Sequence, residues 1–452
     1  MAYKIIFLSL LFPNLLSGAN NSNYHIYFSL WWVVPFIGIL LSIALVPLIN
    51  EHFWHKNFGK FSAFWAVAFS APFLIKAGFE VSAHYFIHAI FLEYIPFIVL
   101  LLALFTISGG IVLRGNFVGT PILNSFFLLI GTILASWMGT TGAAMLIIRP
   151  LIRANKWRKN KVHIIIFFIF LVANIGGSLT PLGDPPLFIG FLKGVNFFWT
   201  TQHMFLPMFF VSLLLLILFY FVDNYYFNKE IDNKPTEQDV NFSVEGKINF
   251  ILLLGVILSV IFSGLYQKHY VIDNFFGNSL PLSFILRDVA LLFLAILSYK
   301  VTSLNLRKEN GFTWFPILEV AKLFAGIFIT VIPAIAILSE NKDIFASVSN
   351  NLYFWLTGIL SGFLDNAPTY LVFFNAAGAN ANSLMDNVIT LLAISSGAVF
   401  MGALTYIGNA PNFMVRAIAE ENQIKMPSFF GYMAWSISIL LPIFLLYSLL
   451  WF

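Results

Sequence analysis

The residue best placed to do chemistry in this sequence is Asp184, which lies in the run Gly-Ser-Leu-Thr-Pro-Leu-Gly-Asp-Pro-Pro over residues 177–186. The prolines donate no backbone N–H and the glycines permit unwinding, so a helix should break here. Freed carbonyls, the hydroxyls of Ser178 and Thr180 and the Asp184 carboxylate are hard oxygen ligands, which suit Na⁺ or coupling to H⁺. A simpler role is also open, because Asp is a favoured N-cap before a helix that starts at Pro185.

A second acid, Asp365, lies in the run Leu-Asp-Asn-Ala-Pro-Thr-Tyr over residues 364–370. The run places a carboxylate, the Asn366 amide and a hydroxyl side by side, and capping before the proline is again the alternative. A similar polar interruption in the first half carries Thr140 and Thr141, which supply hydroxyls but no charge. Two acids that converge at membrane depth would repel each other, which favours binding of a proton or a cation between them.

Two further acids, Glu93 and Glu319, also lie near the starts of apolar segments. A charge at bilayer depth costs at least about 2.5 kcal/mol, so such residues often mark a transport pathway. Lys322 follows Glu319 by three positions, and a structural ion pair on one helix face is the simpler account there. A transport role for either glutamate is the second alternative.

The elements that position these residues follow from an apolar composition, with 60% hydrophobic and 10% charged residues among 452. Soluble domains carry roughly 25% charged residues, so the composition predicts a membrane protein. The chain has no Cys, which excludes disulfides and Cys-based metal or redox sites. It also has no phosphate-binding Gly-Lys-Ser/Thr loop and no hydrolase or zinc-protease motif, so we expect no enzyme activity, no cofactor and transport driven by an ion gradient.

Long apolar segments occur in two series of similar order and length, separated by a polar stretch at 224–246. The first series is 30–49, 60–78, 88–113, 121–155, 162–192 and 203–223, and the second is 247–266, 283–300, 315–338, 345–380, 387–418 and 430–451. The polar stretch, predicted to be a cytoplasmic linker, carries Lys229, Glu230, Asp232, Lys234, Glu237, Asp239 and Glu245.

Residues of the first half recur in the second half when they are shifted by 225 positions without a gap from Ser136 to Phe188. The shift places Gly177 on Gly402, Thr180 on Thr405, Gly183 on Gly408, Asp184 on Asn409 and Pro186 on Pro411. Apolar sequences resemble each other by chance, but two Gly, a Thr and a Pro at matched positions indicate duplication. The runs 177–186 and 402–411 are therefore predicted to be two walls of one site.

Two segments in each half do not read as ordinary spans. Segments 121–155 and 345–380 are too long for one crossing and have polar centres, so we predict re-entrant hairpins. Segments 162–192 and 387–418 are interrupted by Gly and Pro, so we predict broken helices. Lipid cannot satisfy free backbone groups, and such breaks persist only around a protein-lined cavity. Matching breaks in two halves are the best sequence pointer to a transport site.

The predicted fold class is an all-α polytopic membrane protein with two inverted repeats, 20–223 and 247–452. Each repeat has about five transmembrane helices and one hairpin, and an odd number of crossings inverts the second repeat. Starting outside, the positively charged loops then fall in the cytoplasm, as the positive-inside rule requires. The N-terminal residues 1–19 have the form of a cleavable signal peptide, with an interfacial helix or uncleaved anchor as the alternative.

The motifs together resemble those of the ion transporter superfamily. The run Asn-Ile-Gly-Gly-Ser-Leu-Thr-Pro-Leu-Gly-Asp-Pro-Pro at 174–186 is similar to its broken-helix signature. The runs at 364–370 and 404–412 resemble those of chains called sodium/proton antiporters or citrate transporters. The superfamily contains NhaD-type sodium/proton antiporters, arsenite permeases, citrate transporters and divalent-anion/sodium symporters.

The resemblance implies a scaffold domain, a transport domain that moves like an elevator, often a homodimer, and a place in the bacterial inner membrane. It also implies that ions or substrate bind at the hairpin tips and helix breaks. In this sequence those positions are Thr140, Thr141, Ser178, Thr180, Asp184, Asp365, Asn366, Thr405 and Asn409. The tips lack the Ser-Asn-Thr signature of dicarboxylate symporters, and the first tip lacks the Asp-Asn pair of typical antiporters.

An acid at a hairpin tip should repel a carboxylate substrate, so the first prediction is a cation/proton antiporter, most simply for Na⁺ and H⁺. The alternative is an anion carrier for citrate, another carboxylate or arsenite. A membrane-embedded enzyme or receptor is the alternative from another class, although no nucleophile–base pair is evident. The expected partners are membrane lipid and a small ion or small-molecule substrate, without nucleic acid.

Overall fold

A computed structural model of the chain describes residues 26–230, 234–235, 242–266, 270–345 and 347–452. Within these ranges, eight helices are long and apolar enough to cross a membrane, or nine if one bent pair counts as a single span. The chain is an all-α polytopic membrane protein, as the composition predicts. The predicted signal peptide at 1–19 lies outside the described residues, and so do residues 231–233 and 236–241 of the predicted linker.

From residue 26 onwards, where the description starts, the first half contains eight α-helices. They are α1 (Val34–Ile49), α2 (Glu51–Ile87), α3 (Ile95–Ser108), α4 (Pro121–Met138), α5 (Thr140–Ala154), α6 (Val162–Leu171), α7 (Pro185–Leu192) and α8 (Trp199–Asn228). A π-helical turn, His88–Tyr94, joins α2 to α3, and a 3₁₀ turn, Ile175–Leu179, lies between α6 and α7. Gly78 kinks α2 with φ 78°, and α8 continues to Asn228, past the predicted start of the linker.

The second half contains twelve α-helices within the described residues. They are α9 (Ile248–Leu265), α10 (Leu282–Val301), α11 (Leu304–Glu309), α12 (Phe315–Thr330), α13 (Ile332–Glu340), α14 (Lys342–Phe345), α15 (Asn350–Leu364), α16 (Asn366–Ala376), α17 (Ala381–Asp386), α18 (Val388–Met401), α19 (Ala410–Glu421) and α20 (Phe429–Trp451). A 3₁₀ turn, Gly402–Leu404, follows α18. The axes of α12 and α13 differ by 41°, and Pro333 in the first turn of α13 removes one helical hydrogen bond at this bend.

Two short antiparallel strand pairs, which the sequence analysis did not predict, join loops at the ends of the helices. β1 (Val112–Arg114) pairs with β2 (Ser243–Glu245), and β3 (Val271–Phe275) pairs with β4 (Asn278–Pro281). The first pair ties the loop before α4 to the segment before α9. Arg114 adds ion pairs of 2.6 Å each to Glu245 and Glu309.

The segments predicted as hairpins are each two helices that meet at one residue. A hydroxyl at Thr120 caps α4, and a hydroxyl at Ser349 caps α15. Gly139 separates α4 from α5 with φ 80° and ψ 147°, and Asp365 separates α15 from α16 with φ 81° and ψ 141°. The two tips therefore share one backbone conformation, which glycine adopts freely and aspartate does not.

The breaks and hairpins pack across the two halves. The second arm of the first hairpin, α5, contacts α19, and the second arm of the second hairpin, α16, contacts α7. Helices α2 and α12 pack together beside them, as do α3 and α10. The first arms of the broken helices, α6 and α18, are buried along almost their whole length, which explains their nearly uninterrupted apolar sequence. Because the hairpin of each half packs against the broken helix of the other half, the tips and breaks of both halves meet.

Candidate functional site

The Asp184 carboxylate is buried, with 1% of the residue exposed. Its Oδ1 accepts hydrogen bonds from Thr140 Oγ1 at 3.1 Å and Asn409 Nδ2 at 2.9 Å. Its Oδ2 accepts one from Asn366 Nδ2 at 2.5 Å. All three donors are neutral, and Asp184 forms no ion pair in the described part of the chain. A buried carboxylate without a fixed countercharge is a suitable partner for a mobile proton or cation.

Each of these four side chains stands at the start of a helix. Thr140 and Asn366 are the first residues of α5 and α16, and Asp184 and Asn409 directly precede α7 and α19. Four helix N-termini therefore meet at the carboxylate, and each presents a partial positive charge to it. Asp184 occupies the N-cap position, but its side chain makes no capping hydrogen bond. The Asp184 carboxylate therefore does not cap α7, unlike the simpler role considered for it.

Asp365 differs from Asp184 in its contacts. Its Oδ1 accepts a hydrogen bond from the Ala367 backbone N–H at 3.2 Å, so the side chain caps α16. Its backbone carbonyl also accepts from Thr369 Oγ1 at 2.8 Å. The capping alternative therefore describes Asp365, although the residue lines the same cavity as Asp184.

A pair of glycines shapes each break. A Cβ atom added to Gly183 would lie 2.1 Å from the carbonyl oxygen of Gly177. A Cβ atom added to Gly408 would lie 2.5 Å from the carbonyl oxygen of Gly402. Backbone meets backbone directly at both places, so only glycine fits. The repeated glycine spacing in the sequence thus encodes a tight chain reversal before α7 and α19.

The threonines of the breaks hold them to the hairpins. Thr180 Oγ1 donates to the Ser136 carbonyl in α4 and accepts from the Leu182 N–H. Thr405 Oγ1 donates to the Gly362 carbonyl in α15 at 2.5 Å and accepts from the Ile407 N–H at 3.1 Å. Since both hydroxyls donate to carbonyls and neither threonine lines the cavity, we assign them a structural role.

These contacts change the predicted repeat alignment by one residue. The threonines Thr180 and Thr405 are 225 positions apart, but the carbonyls that they bond, at Ser136 and Gly362, are 226 apart. The tips, Gly139 and Asp365, are also 226 apart and share one backbone conformation. The gapless alignment was therefore wrong by one position at the hairpins. It paired Ser136 with Ser361 because the two side chains are identical, whereas the backbone contacts pair Ser136 with Gly362.

A cavity of 580 Å³ adjoins the carboxylate. Of the predicted site residues, it is lined by Thr140, Thr141, Asp184, Asp365 and Asn409. Its opposite wall comes from α1, α2, α3 and α12, and it extends to Arg149 and Glu421. Because Gly311, Thr313 and Glu421 in its lining are exposed, the cavity reaches the surface at that end.

The predicted site residues thus fall into three groups. Thr140, Asp184, Asn366 and Asn409 form one hydrogen-bonded cluster. Asp365 and Thr141 line the adjoining cavity. Ser178 donates to the Ile175 carbonyl at 2.8 Å inside its own 3₁₀ turn and is not a lining residue. It is therefore set apart from the carboxylate, together with Thr180 and Thr405.

Two buried asparagines that the sequence analysis did not single out connect the breaks. Asn174 Nδ2 donates to Asn412 Oδ1 at 2.7 Å, and Asn412 Nδ2 donates to the carbonyls of Gly402 and Thr405 at 2.9 Å each. Asn174 Oδ1 also accepts from Asn409 at 3.3 Å. The signal in the sequence was a polar side chain beside each break, and both residues lie within the quoted motifs.

The two remaining acids have different partners. Glu93 forms an ion pair with Lys193. Glu319 accepts a hydrogen bond from Trp54 Nε1 at 3.2 Å and lines the cavity. The expected pair between Glu319 and Lys322 does not form, because the Lys322 ammonium lies over the Phe58 ring, 5.5 Å from its centroid. A tryptophan distant in sequence satisfies the carboxylate instead.

A polytopic helical fold with broken helices and hairpin tips around a buried acid is that of a membrane transporter. The chain belongs to the family described as "Putative citrate transport", whose model matches residues 25–452. This match confirms the resemblance to the citrate transporter branch of the ion transporter superfamily. A comparison with curated proteins finds no match.

Proposed function

We propose that the protein is a secondary active cation/proton antiporter, with Na⁺ as the first cation to test. The observation that carries this proposal is the Asp184 carboxylate with the oxygen atoms around it. Asn366 Oδ1 is buried and has no hydrogen-bond partner among the described residues, while the Nδ2 of the same amide donates to Asp184. An orphaned acceptor beside an uncompensated carboxylate suits a cation.

In this mechanism, Asp184 binds either a proton or the cation. The ionised carboxylate binds Na⁺ with help from neutral oxygens of Thr140, Asn366 and Asn409. A proton arriving at the carboxylate removes the charge that held the cation, and the cation leaves. Alternating access then carries the protonated and the cation-loaded forms across the membrane in opposite directions.

The charges of the cavity support a cation. Its described lining contains four carboxylates, those of Asp184, Glu319, Asp365 and Glu421, and only one arginine or lysine, Arg149. A cleft dominated by one sign of charge concentrates ions of the opposite sign. A free citrate anion would meet net repulsion on the way to Asp184.

A second candidate is a carrier of citrate or a similar carboxylate. The family description favours it, and a cavity of 580 Å³ is within the usual size of a small-molecule site. Arg149 Nη1, at the cavity wall, is buried and has no hydrogen-bond partner within the part of the chain that the structure describes, so it suits a carboxylate. For such a carrier, bound cations or protons have to offset the negative charges of the four acids that line the cavity.

Everted vesicles that contain the wild-type protein separate the two candidates. The proposal predicts that adding Na⁺ or Li⁺ dissipates an imposed pH gradient, seen as dequenching of a pH-sensitive dye, whereas choline does not. Uptake of labelled citrate should match that of empty vesicles. Citrate uptake without any cation-dependent pH response would favour the second candidate and reject the antiporter.

The remaining expectations follow from the resemblance. We propose a homodimer in the bacterial inner membrane, in which hairpins and broken helices move against the outer helices. We also propose that the protein uses no cofactor and catalyses no chemical reaction, since transport alone accounts for the site.

A further inference from the structure

A buried ion pair joins the end of one broken helix to the outer helices. Lys193 Nζ donates to Glu93 Oε1, and His88 Nδ1 lies 3.6 Å from the same oxygen. The Glu93 and Lys193 side chains are 8% and 19% exposed. Lys193 directly follows α7, and Glu93 belongs to the π-helical turn before α3. The resemblance assigns broken helices such as α7 to the transport domain and the outer helices, here α2 and α3, to the scaffold domain. The pair therefore connects the two predicted domains.

Lys193 and Asp184 stand at the two ends of the same short helix. Asp184 precedes α7, which has eight residues, and Lys193 follows it. Such a helix is a rod of about 12 Å, so holding Lys193 also fixes the position of Asp184. The partner turn spans seven residues of π-helix, a geometry that is rare and concentrates at functional sites.

The ion pair lies on the side of the site that the cavity does not reach. The cavity contacts α7 at Pro185 and Phe188, and neither Glu93 nor Lys193 is among its lining residues in the described chain. Phe188, which lies on α7 between Asp184 and Lys193, is buried, with 1% of the residue exposed. Glu319, which matches Glu93 at the 226-residue offset of the hairpins, lines the open cavity instead.

The second half has no counterpart to this lysine. At the 225-residue offset of the breaks, Lys193 falls on Ile418, which is uncharged and buried. Glu319 therefore has no cationic partner from α19. The first half therefore carries a buried ion pair at this place, and the equivalent place in the second half does not.

We propose that the Glu93–Lys193 ion pair is a latch that holds the site closed on the side opposite the cavity and must open once in each transport cycle. Removing one partner from a buried pair leaves an uncompensated charge, so the latch stabilises the cavity-open state. This inference rests on alternating access, which is part of the proposed function. Lys193 acts on transport by positioning α7 and does not touch the transported ion.

A single cysteine in the cavity reports which state is populated. The chain has no native Cys, so Ala417→Cys, in the cavity wall, gives one labelling site. A membrane-impermeant maleimide is applied to vesicles from the side that labels this reporter. We expect Lys193→Met to lower the labelling rate about tenfold, because the cavity-open state loses its latch.

Two further variants keep the test independent of folding. Lys193→Arg and the charge exchange Glu93→Lys with Lys193→Glu should both restore the labelling rate, since each rebuilds the pair. Lys76→Met is the matched control, because it removes an exposed lysine that lies over the Trp32 ring, and it should not change labelling. Unchanged labelling in well-folded Lys193→Met, or no recovery in the charge exchange, would overturn the latch.

The same reporter separates failure of the latch from failure of the proposed function. If labelling responds to Na⁺ but not to Lys193→Met, the cation assignment stands and the latch is rejected. If labelling responds to Lys193→Met and its rescue but not to Na⁺, the latch stands and the cation assignment fails.

Discussion

Asp365 keeps an acidic side chain in a backbone conformation that favours glycine. Its φ of 81° and ψ of 141° nearly equal those of Gly139 at the other tip. A non-glycine residue in such a conformation costs about 1–3 kcal/mol. The first half avoids this cost with glycine, whereas the second half retains a carboxylate that lines the cavity. The strain therefore points to a functional reason for the acid.

Asp365→Gly should separate stability from transport. Glycine relieves the strain, which outweighs the loss of the cap to Ala367 because glycine at an N-cap costs only about a few tenths of a kcal/mol. We expect the thermal midpoint in detergent to be equal or higher and cation exchange to weaken, because the cavity loses one of its four carboxylates. The reciprocal control, Gly139→Asp, should lower the midpoint. A midpoint several degrees lower in Asp365→Gly would show that the tip is not strained.

Asn366 supplies both a donor to Asp184 and an unpartnered oxygen. Asn366→Ala should raise the Na⁺ concentration needed for half-maximal exchange by at least about tenfold, because a lost hydrogen bond to a charged group is worth roughly 1.5–3 kcal/mol. The matched control is Asn375→Ala on the same helix, whose amide donates only to the Leu371 carbonyl. An equal change in both variants would indicate a general effect on α16 rather than a site at Asn366.

At the scale of the elements, the breaks depend on glycine where two backbones touch. Gly183→Ala would place a Cβ atom 2.1 Å from the Gly177 carbonyl oxygen, and backbone cannot move aside as a side chain can. We expect Gly183→Ala and Gly408→Ala to lose transport and to lower the thermal midpoint clearly. Fluorescence-detected size-exclusion chromatography after heating measures the thermal midpoint of both variants.

The matched control for the glycines is Gly59→Ala in α2. The nearest atom there is the Lys322 side-chain Cδ, at 3.1 Å, and a flexible methylene can shift. Gly59→Ala should therefore fold and transport as the wild type does. Wild-type stability in Gly183→Ala would contradict the tight reversal described for the break.

An ion pair between Arg114 and Glu309, outside the membrane-spanning helices, links the β1–β2 pair to α11. The hydrogen bond from Arg114 lowers the pKa of Glu309 below its usual value. A lowered folded-state pKa stabilises the protein above the unfolded-state pKa, near 4.5, and that stabilisation is lost as pH falls through the folded value. Glu309→Gln should thus lower the thermal midpoint slightly at pH 7 and by less near pH 3. A difference of equal size at both pH values would contradict this account.

At the scale of the whole molecule, the sequence predicts the spans and breaks far better than the contacts between them. Apolar runs and Gly–Pro interruptions are local signals, and the helices lie close to the predicted segments. Asp184 stood out because a charge inside a break is rare in lipid. Its partners Thr140, Asn366 and Asn409 were candidates individually, but nothing local shows that all three donate to one carboxylate.

The predictions that failed depend on residues distant in sequence. Trp54, which is 265 positions away in the sequence, donates a hydrogen bond to the Glu319 carboxylate, whereas helix spacing suggested Lys322 as its partner. The hydrogen bond between the Asn174 and Asn412 side chains joins residues 238 positions apart, and sequence periodicity does not predict it. The matched backbone at Gly139 and Asp365 supports duplication of the two halves, while their inverted orientation in the membrane stays a prediction.

The central claim is that the Asp184 carboxylate exchanges a proton for a cation. It is tested most directly by Na⁺-induced dequenching of a pH-sensitive dye in everted vesicles that contain Asp184→Asn. Glu420→Gln, which removes an exposed carboxylate paired with Arg416, serves as the control. We predict no Na⁺ response for Asp184→Asn and a wild-type response for Glu420→Gln at equal protein levels. A wild-type Na⁺ response in Asp184→Asn would contradict the account.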